Sequence, residues 1–146
     1  MTRFALLALV IVLSAIGMNR ADETAELAKL KGTWRVLKAV RNGESAPDVV
    51  RVALKVTVTD RALTIRSAEN VPTVLEAEIA LDPSKSPATI ELKPKQSGNT
   101  VLHGIYEFDG ETLRLCWTRN GGPRPSDFTA KSGSNAVYFE LNREVK

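Results

Sequence analysis

The chain has very few of the residues that enzymes and cofactor proteins use for chemistry. It holds one cysteine, Cys116, and one histidine, His103. A lone thiol forms no internal disulfide. Leu113-Arg114-Leu115 and Trp117 put no imidazole or helix start beside it, so Cys116 is expected to pack as a small buried apolar group. A lone imidazole on a strand builds no usual zinc site without carboxylate or thiolate help. No serine sits in a nucleophile elbow, and no glycine loop has phosphate-binding spacing. Gly121-Gly122-Pro123 reads as a turn. No catalytic residues, metal or cofactor are therefore expected, and the chain is not expected to be an enzyme. Aromatics are only 5% of the residues, so the core must be mainly aliphatic. Lysine and arginine form no dense block, which excludes a phosphate-neutralising nucleic-acid surface.

Long apolar runs are also absent, with one exception. Phe4 to Met18 carries no charge and follows Arg3. It is short for a membrane-spanning helix, which needs about 20 apolar residues. A basic start, a short apolar centre and small residues after it predict a secretory signal peptide over residues 1–21, cleaved after Gly17 or Ala21. An uncleaved anchor is the alternative. Removing Arg3 and Arg20 takes Lys+Arg from 20 to 18 against 17 Asp+Glu, and the net charge from +3 to +1. The apparent basicity thus belongs partly to the leader. An exported, periplasmic or extracellular, monomer is expected, with no membrane contact after cleavage.

What remains, residues 22–146, reads as one domain of ordinary globular composition, 43% hydrophobic and 25% charged over the whole chain. Asp22–Lys31 predicts a short helix, with acids in its first turn and lysines in its last. Gly32 ends it. Eight strands are then expected: Thr33–Arg41, Val49–Thr59, Ala62–Ser67, Thr73–Leu81, Ala88–Lys93, Thr100–Phe108, Glu111–Arg119 and Ala136–Arg143. They are rich in Val, Ile, Leu and Thr, and several alternate with period two. Asp109-Gly110 is a tight-hairpin signal. No link is long or helical enough for a parallel crossover, so consecutive strands pair antiparallel. An eight-stranded up-and-down meander hides its two edges by closing. Such a barrel has room for packed side chains or one small ligand.

Closure explains the stretch Gly32-Thr33-Trp34. A tryptophan entering the first strand plugs the closed end, and the glycine lets the backbone run tight beneath it. The last strand ends Leu141-Asn142-Arg143, which brings a guanidinium onto the outer face of that indole. With LAKLKGTWRVLKAVRNGE, LDPSKSPATIEL, GIYEFDGETLRLCW and the RPSDF that holds Arg124 and Phe128, the chain resembles lipocalins and related calycin barrels. It is most similar to a lipocalin-like domain family of unassigned function that is abundant in exported planctomycete proteins. The likeness covers about residues 24 to 143. It implies an exported lipocalin-like barrel with Gly32, Trp34 and Arg143 as its structural signature, and no catalytic residues. One departure is Pro72 in the link Glu69 to Val74.

Inward positions are expected at Trp34, Val36, Val52, Leu54, Val56, Leu63, Ile65, Ile90, Leu92, Tyr106, Leu113, Leu115, Trp117 and Phe139. Glu76 and Glu78 share a strand face that reads as solvent-facing. His103 falls on the face opposite Leu102, Gly104 and Tyr106. Arg124 lies in the longest loop, where two roles are open. It either pairs with an acid and pins the loop, with Phe128 tucked inward, or recognises an anion at the barrel rim. The expected function is binding: a small apolar or amphipathic ligand in the barrel, near Trp34, Tyr106, Trp117 and Arg124. The alternative is a filled barrel whose loops contact or inhibit an exported protein.

Overall fold

The computed structural model describes residues 20–67, 73–96 and 98–144. Eight antiparallel strands close into an up-and-down barrel, preceded by a helix. Helix α1 spans Arg20–Leu30. Strand β1 covers Gly32–Arg41, β2 Glu44–Ser45, and a four-residue helix α2 Asp48–Arg51. Then come β3 (Lys55–Thr59), β4 (Ala62–Arg66), β5 (Leu75–Asp82), β6 (Ala88–Pro94), β7 (Leu102–Asp109), β8 (Thr112–Thr118) and β9 (Ala136–Arg143). Each barrel strand pairs with the next, and β1 pairs with β9, so no edge is left open. β2 is a ninth strand, hooked onto the end of β1 through the Asn42-Gly43 turn. Both turn residues have positive φ, 50° and 84°, the backbone a two-residue hairpin turn requires.

The closed end follows from the first dozen residues. Asp22 and Glu23 lie in the first turn of α1 and Lys29 in its last, favourable against the helix dipole. Leu27 and Leu30 pack against the barrel core. Glu23 is buried, with its carboxylate accepting the Leu81 N–H at 3.0 Å and pairing with Arg61 at 2.5 Å. Thus α1 is bolted to β5 and to the β3–β4 turn. Above it lies a dense aliphatic half-barrel that includes Val36, Val56, Ile79, Leu81, Leu92 and Leu113, none more than 3% exposed. Trp34 is the plug: 2% exposed, its Nε1–H donates to the Leu30 carbonyl at 2.8 Å.

One expected strand is corrected. Val49–Thr59 does not run as a single strand: only Lys55–Thr59 is extended, and Asp48–Arg51 is helical. Val52, expected inside, is 69% exposed, and Val49 and Val50 are exposed too. The cause is pairing. β1 pairs with β3 only from Gly32 to Arg35, while its upper half pairs with β9 and β2. A strand over 49–53 has no partner there. The chain turns at Pro47 instead, whose carbonyl accepts from Val50 and Arg51, and the Arg51 guanidinium donates to the Val36 carbonyl at 3.1 Å. Lack of a ladder overrides the strand preference of the valines.

The pairing of β1 with β9 slips between Val36 and Lys38. This irregularity resets the alternation. Trp34 and Val36 face inward below it; Ala39 joins the inner core above it, while Val40 turns to the outer wall. Arg41 then follows Ala39 onto the inner face. The residues at 69–72, including Pro72, lie outside the described residues.

Candidate functional site

The closed half of the barrel is packed, whereas the opposite end is hollow. A cavity of about 1090 Å³ opens there. Ala39, Leu54, Ile65, Leu75, Leu102, Trp117, Val137 and Phe139 line it, giving an apolar floor and wall. Trp117 and Phe139 meet edge to face, 5.2 Å between ring centroids, an arrangement that favours a fixed aromatic wall. Polar side chains collect at the rim: Arg41, Asn42, Glu44, Ser45, Gln96, Thr100, Arg119, Asn120 and Asn135. Among the described lining residues Glu44 is the only carboxylate, and none is a histidine or thiol.

Two loops build the rim. The β1–β2 turn is tied to the loop after β8 by Asn42 Oδ1, which accepts the N–H groups of Gly133 at 2.8 Å and Asn135 at 3.1 Å. The Gly43 N–H donates to the Ala130 carbonyl at 2.6 Å. A side chain at Gly43 would strike the Ser132 backbone, so the turn needs glycine for close approach as well as for its φ. From there the loop folds down the outer wall. Ala130 and Phe128 cover Val40, Ile105, Cys116, Ala136 and Tyr138, a second, smaller core. Phe128 is therefore an anchor on the outside of the barrel, against Tyr138. Cys116 lies beneath it with no exposure, and burial pushes its thiol up to about 11.

The four expected ligand residues separate. Trp117 lines the cavity. Trp34 lies in the packed closed end under Arg143. Tyr106 faces inward but is 2% exposed, its ring edge-on to Phe108. Its pKa is raised first by burial and then by the charges of Glu26, Asp82 and Glu23, so its hydroxyl stays protonated. Neither Trp34 nor Tyr106 is among the cavity residues.

Arg124 is not at the mouth; it lies on the outer wall over β6 and β7. Its guanidinium donates to the carbonyls of Gly104 at 2.6 Å and Ile90 at 3.3 Å and pairs with Glu91. Glu91 also meets His103 Nδ1 at 2.6 Å. Arg124 thus pins its loop against an acid, the first of the two roles open for it. Glu76 is paired with Lys95 at 2.8 Å, and Glu78 is exposed, as expected for the solvent face of β5.

Sequence reasoning missed Arg41, Arg119 and Asn135. Arg41 reaches the inner face through the β1 irregularity, as the cross-strand partner of Val137. Arg119 opens a short 3-10 turn, Arg119–Gly121, and Asn135 has φ 55°, so the ends of β8 and β9, not their alternation, place these two at the rim. Among the described residues, no helix is long and apolar enough to cross a membrane, and no cluster of three or more His, Cys, Asp or Glu side chains can hold a metal. The chain matches no protein-family model, no curated protein and no solved structure.

Proposed function

We propose that this chain is an exported binding module that holds a small apolar or amphipathic molecule in the open end of its barrel. The observation that carries this reading is the cavity of about 1090 Å³ with an aromatic and aliphatic floor. Ligand pockets are typically about 300–1,000 Å³, mostly apolar, with a few polar groups that set orientation. Export is supported by the basic start and short apolar run at residues 1–21. The likeness of GIYEFDGETLRLCW and of the Gly-x-Trp and Leu-Asn-Arg ends to exported lipocalin-like domains supports the same reading.

The test is titration with a neutral apolar dye such as Nile red. Saturable one-site enhancement is expected, with quenching of Trp117 emission, and Val137→Trp should abolish it by filling the cavity. Absence of saturable binding would overturn the reading. It would favour docking to an exported protein through the exposed Val49, Val52 and Val74, at 77%, 69% and 60% exposure.

A further inference from the structure

We infer that the outer wall of β1, β3 and β4 is a second binding surface, and that its partner is a linear acidic polysaccharide, a polymer with a carboxylate or sulfate on each sugar ring. This face lies outside the barrel, so the inference stands apart from the carrier reading. It comes from register. Arg35 on β1 lies opposite Lys55 on β3, and Lys55 lies opposite Arg66 on β4. Trp34, Val36, Val56 and Ile65 beside them belong to the inner core, so alternation turns all three cations outward, and all three are exposed. Two residues along each strand, Thr33, Thr57 and Thr64 are opposed in the same way. The cations come from three separate stretches of chain, so no run of Lys and Arg in the sequence announces them.

This arrangement works against the sheet. Like charges directly opposite on neighbouring strands are destabilising, and here that happens twice in a row. Cations often guard an exposed edge strand, but β1, β3 and β4 are interior strands of a closed barrel with no edge to guard. Local acids do little to neutralise the row. Among the described residues Arg35 and Arg66 join no acid in an ion pair, and Lys55 meets Glu144 at 3.5 Å. Glu76, opposite Thr64, bonds Lys95 at 2.8 Å and feels Arg66 more weakly. An external polyanion relieves the repulsion that the fold leaves in place.

The spacing names the kind of polyanion. Neighbouring strands are about 5 Å apart, so the row spans about 10 Å, a repeat that a polymer with one anionic group per sugar follows ring by ring. Arg35 and Arg66 offer paired N–H donors to such groups. The threonine hydroxyls both donate and accept, as sugar hydroxyls do. The six residues include no aromatic ring on which a nucleic-acid base could stack and no large apolar side chain to enter a bilayer, which favours the polysaccharide over either.

The experiment measures binding of the full chain to polygalacturonate and to dextran sulfate at low salt, beside neutral dextran, a single-stranded oligonucleotide and phosphatidylglycerol vesicles. Saturable binding to one or both acidic polymers is expected, weakening as salt rises, with none to dextran. Any binding to the oligonucleotide or the vesicles should be weaker, or indifferent to Arg35 and Arg66. The double variant Arg35→Ser, Arg66→Ser should lose about tenfold or more in affinity. Lys85→Ser with Lys131→Ser removes the same charge from two other exposed positions and should change it by less than about twofold. Glu144→Gln frees Lys55 and should tighten binding, an effect that a damaged fold does not imitate. No saturable binding to either acidic polymer would overturn the inference. So would an equal effect of the two double variants, weaker binding in Glu144→Gln, or tighter binding to the oligonucleotide or vesicles that depends on the same two arginines. None of these outcomes bears on dye binding inside the barrel.

Discussion

Arg143 lies over Trp34, with its guanidinium carbon 4.4 Å from the centre of the indole. The two are register partners across the β1–β9 seam, so this stack is the closure of the barrel seen in one pair. The same guanidinium donates to the carbonyls of Lys31 at 2.7 Å and Lys29 at 2.5 Å. Those are carbonyls at the end of α1, which would otherwise have no helical partner. Gly32, at φ 133°, leaves room for it: a Cβ there would lie 2.7 Å from Arg143 Nη1. Gly32, Trp34 and Arg143 therefore work as one unit that joins helix, first strand and last strand.

Removing the cation should loosen that unit. Arg143→Ala is expected to lower stability by about 1–2 kcal/mol, from the lost stack and the released carbonyls. Arg143→Lys should lose less, since it keeps the charge but not the planar fork. Denaturant midpoints for the three proteins check this, and an unchanged midpoint in Arg143→Ala would count against it.

Glu23 offers a second test of how α1 is held. Its carboxylate is buried and satisfies the Leu81 N–H. Glu23→Ala leaves that donor without an acceptor and Arg61 without its partner, and should cost about 1–3 kcal/mol. Glu23→Gln keeps an acceptor for Leu81 and should fall between the two. Equilibrium unfolding of the pair separates the hydrogen bond from the charge.

The closing strands were legible in the sequence because their signals are local. Leu113, Leu115 and Trp117, and Val137, Phe139 and Leu141, alternate without interruption, and Asp109-Gly110 marks the turn before β8. The stack of Arg143 on Trp34 followed once closure was assumed. The open end was not legible in the same way. Val49 to Val52 looks like strand, and only the split of β1 between β3 and β9 shows that no partner waits for it. The aim of Arg41 depends on a one-residue slip whose only trace is a register change between two chains of contacts far apart in sequence. Arg124 carried the right chemistry for a rim but in a loop that folds down the outer wall, because Phe128 and Ala130 have a small apolar surface to cover there.

That placement of Arg124 makes its substitution informative. Arg124→Ala should free the loop, lower stability by about 1–2 kcal/mol through the carbonyls of Gly104 and Ile90 and the partner of Glu91, and speed proteolysis between 123 and 135. Saturable binding of an apolar dye in the open end should not move. Limited proteolysis together with the dye titration checks both halves, and lost dye binding would place Arg124 back at the mouth.

Alkaline pH should weaken the fold. Burial holds the Cys116 thiol up at about 11 against an ordinary 9.0, so the folded chain keeps a proton that the unfolded chain releases. Stability from this group is complete below about pH 9 and is lost as pH rises through about 11. Tyr106, raised in the same direction, adds to the loss at the upper end of that range. Denaturant midpoints from pH 8 to 11 should fall, and Cys116→Ala should show a shallower fall. Thiol reagents should label native Cys116 only as fast as the fold opens.

The most direct test of the account is a methyl-resolved NMR titration with dodecanoate. Shifts should concentrate at Leu54, Ile65, Leu75, Leu102 and Val137 around the open end, while Val36, Leu81 and Leu113 in the packed half stay still. Saturating shifts confined to the outer wall at Ile105 and Ala130, or no saturating shift at all, would contradict the claim that the open end of this barrel is a binding site.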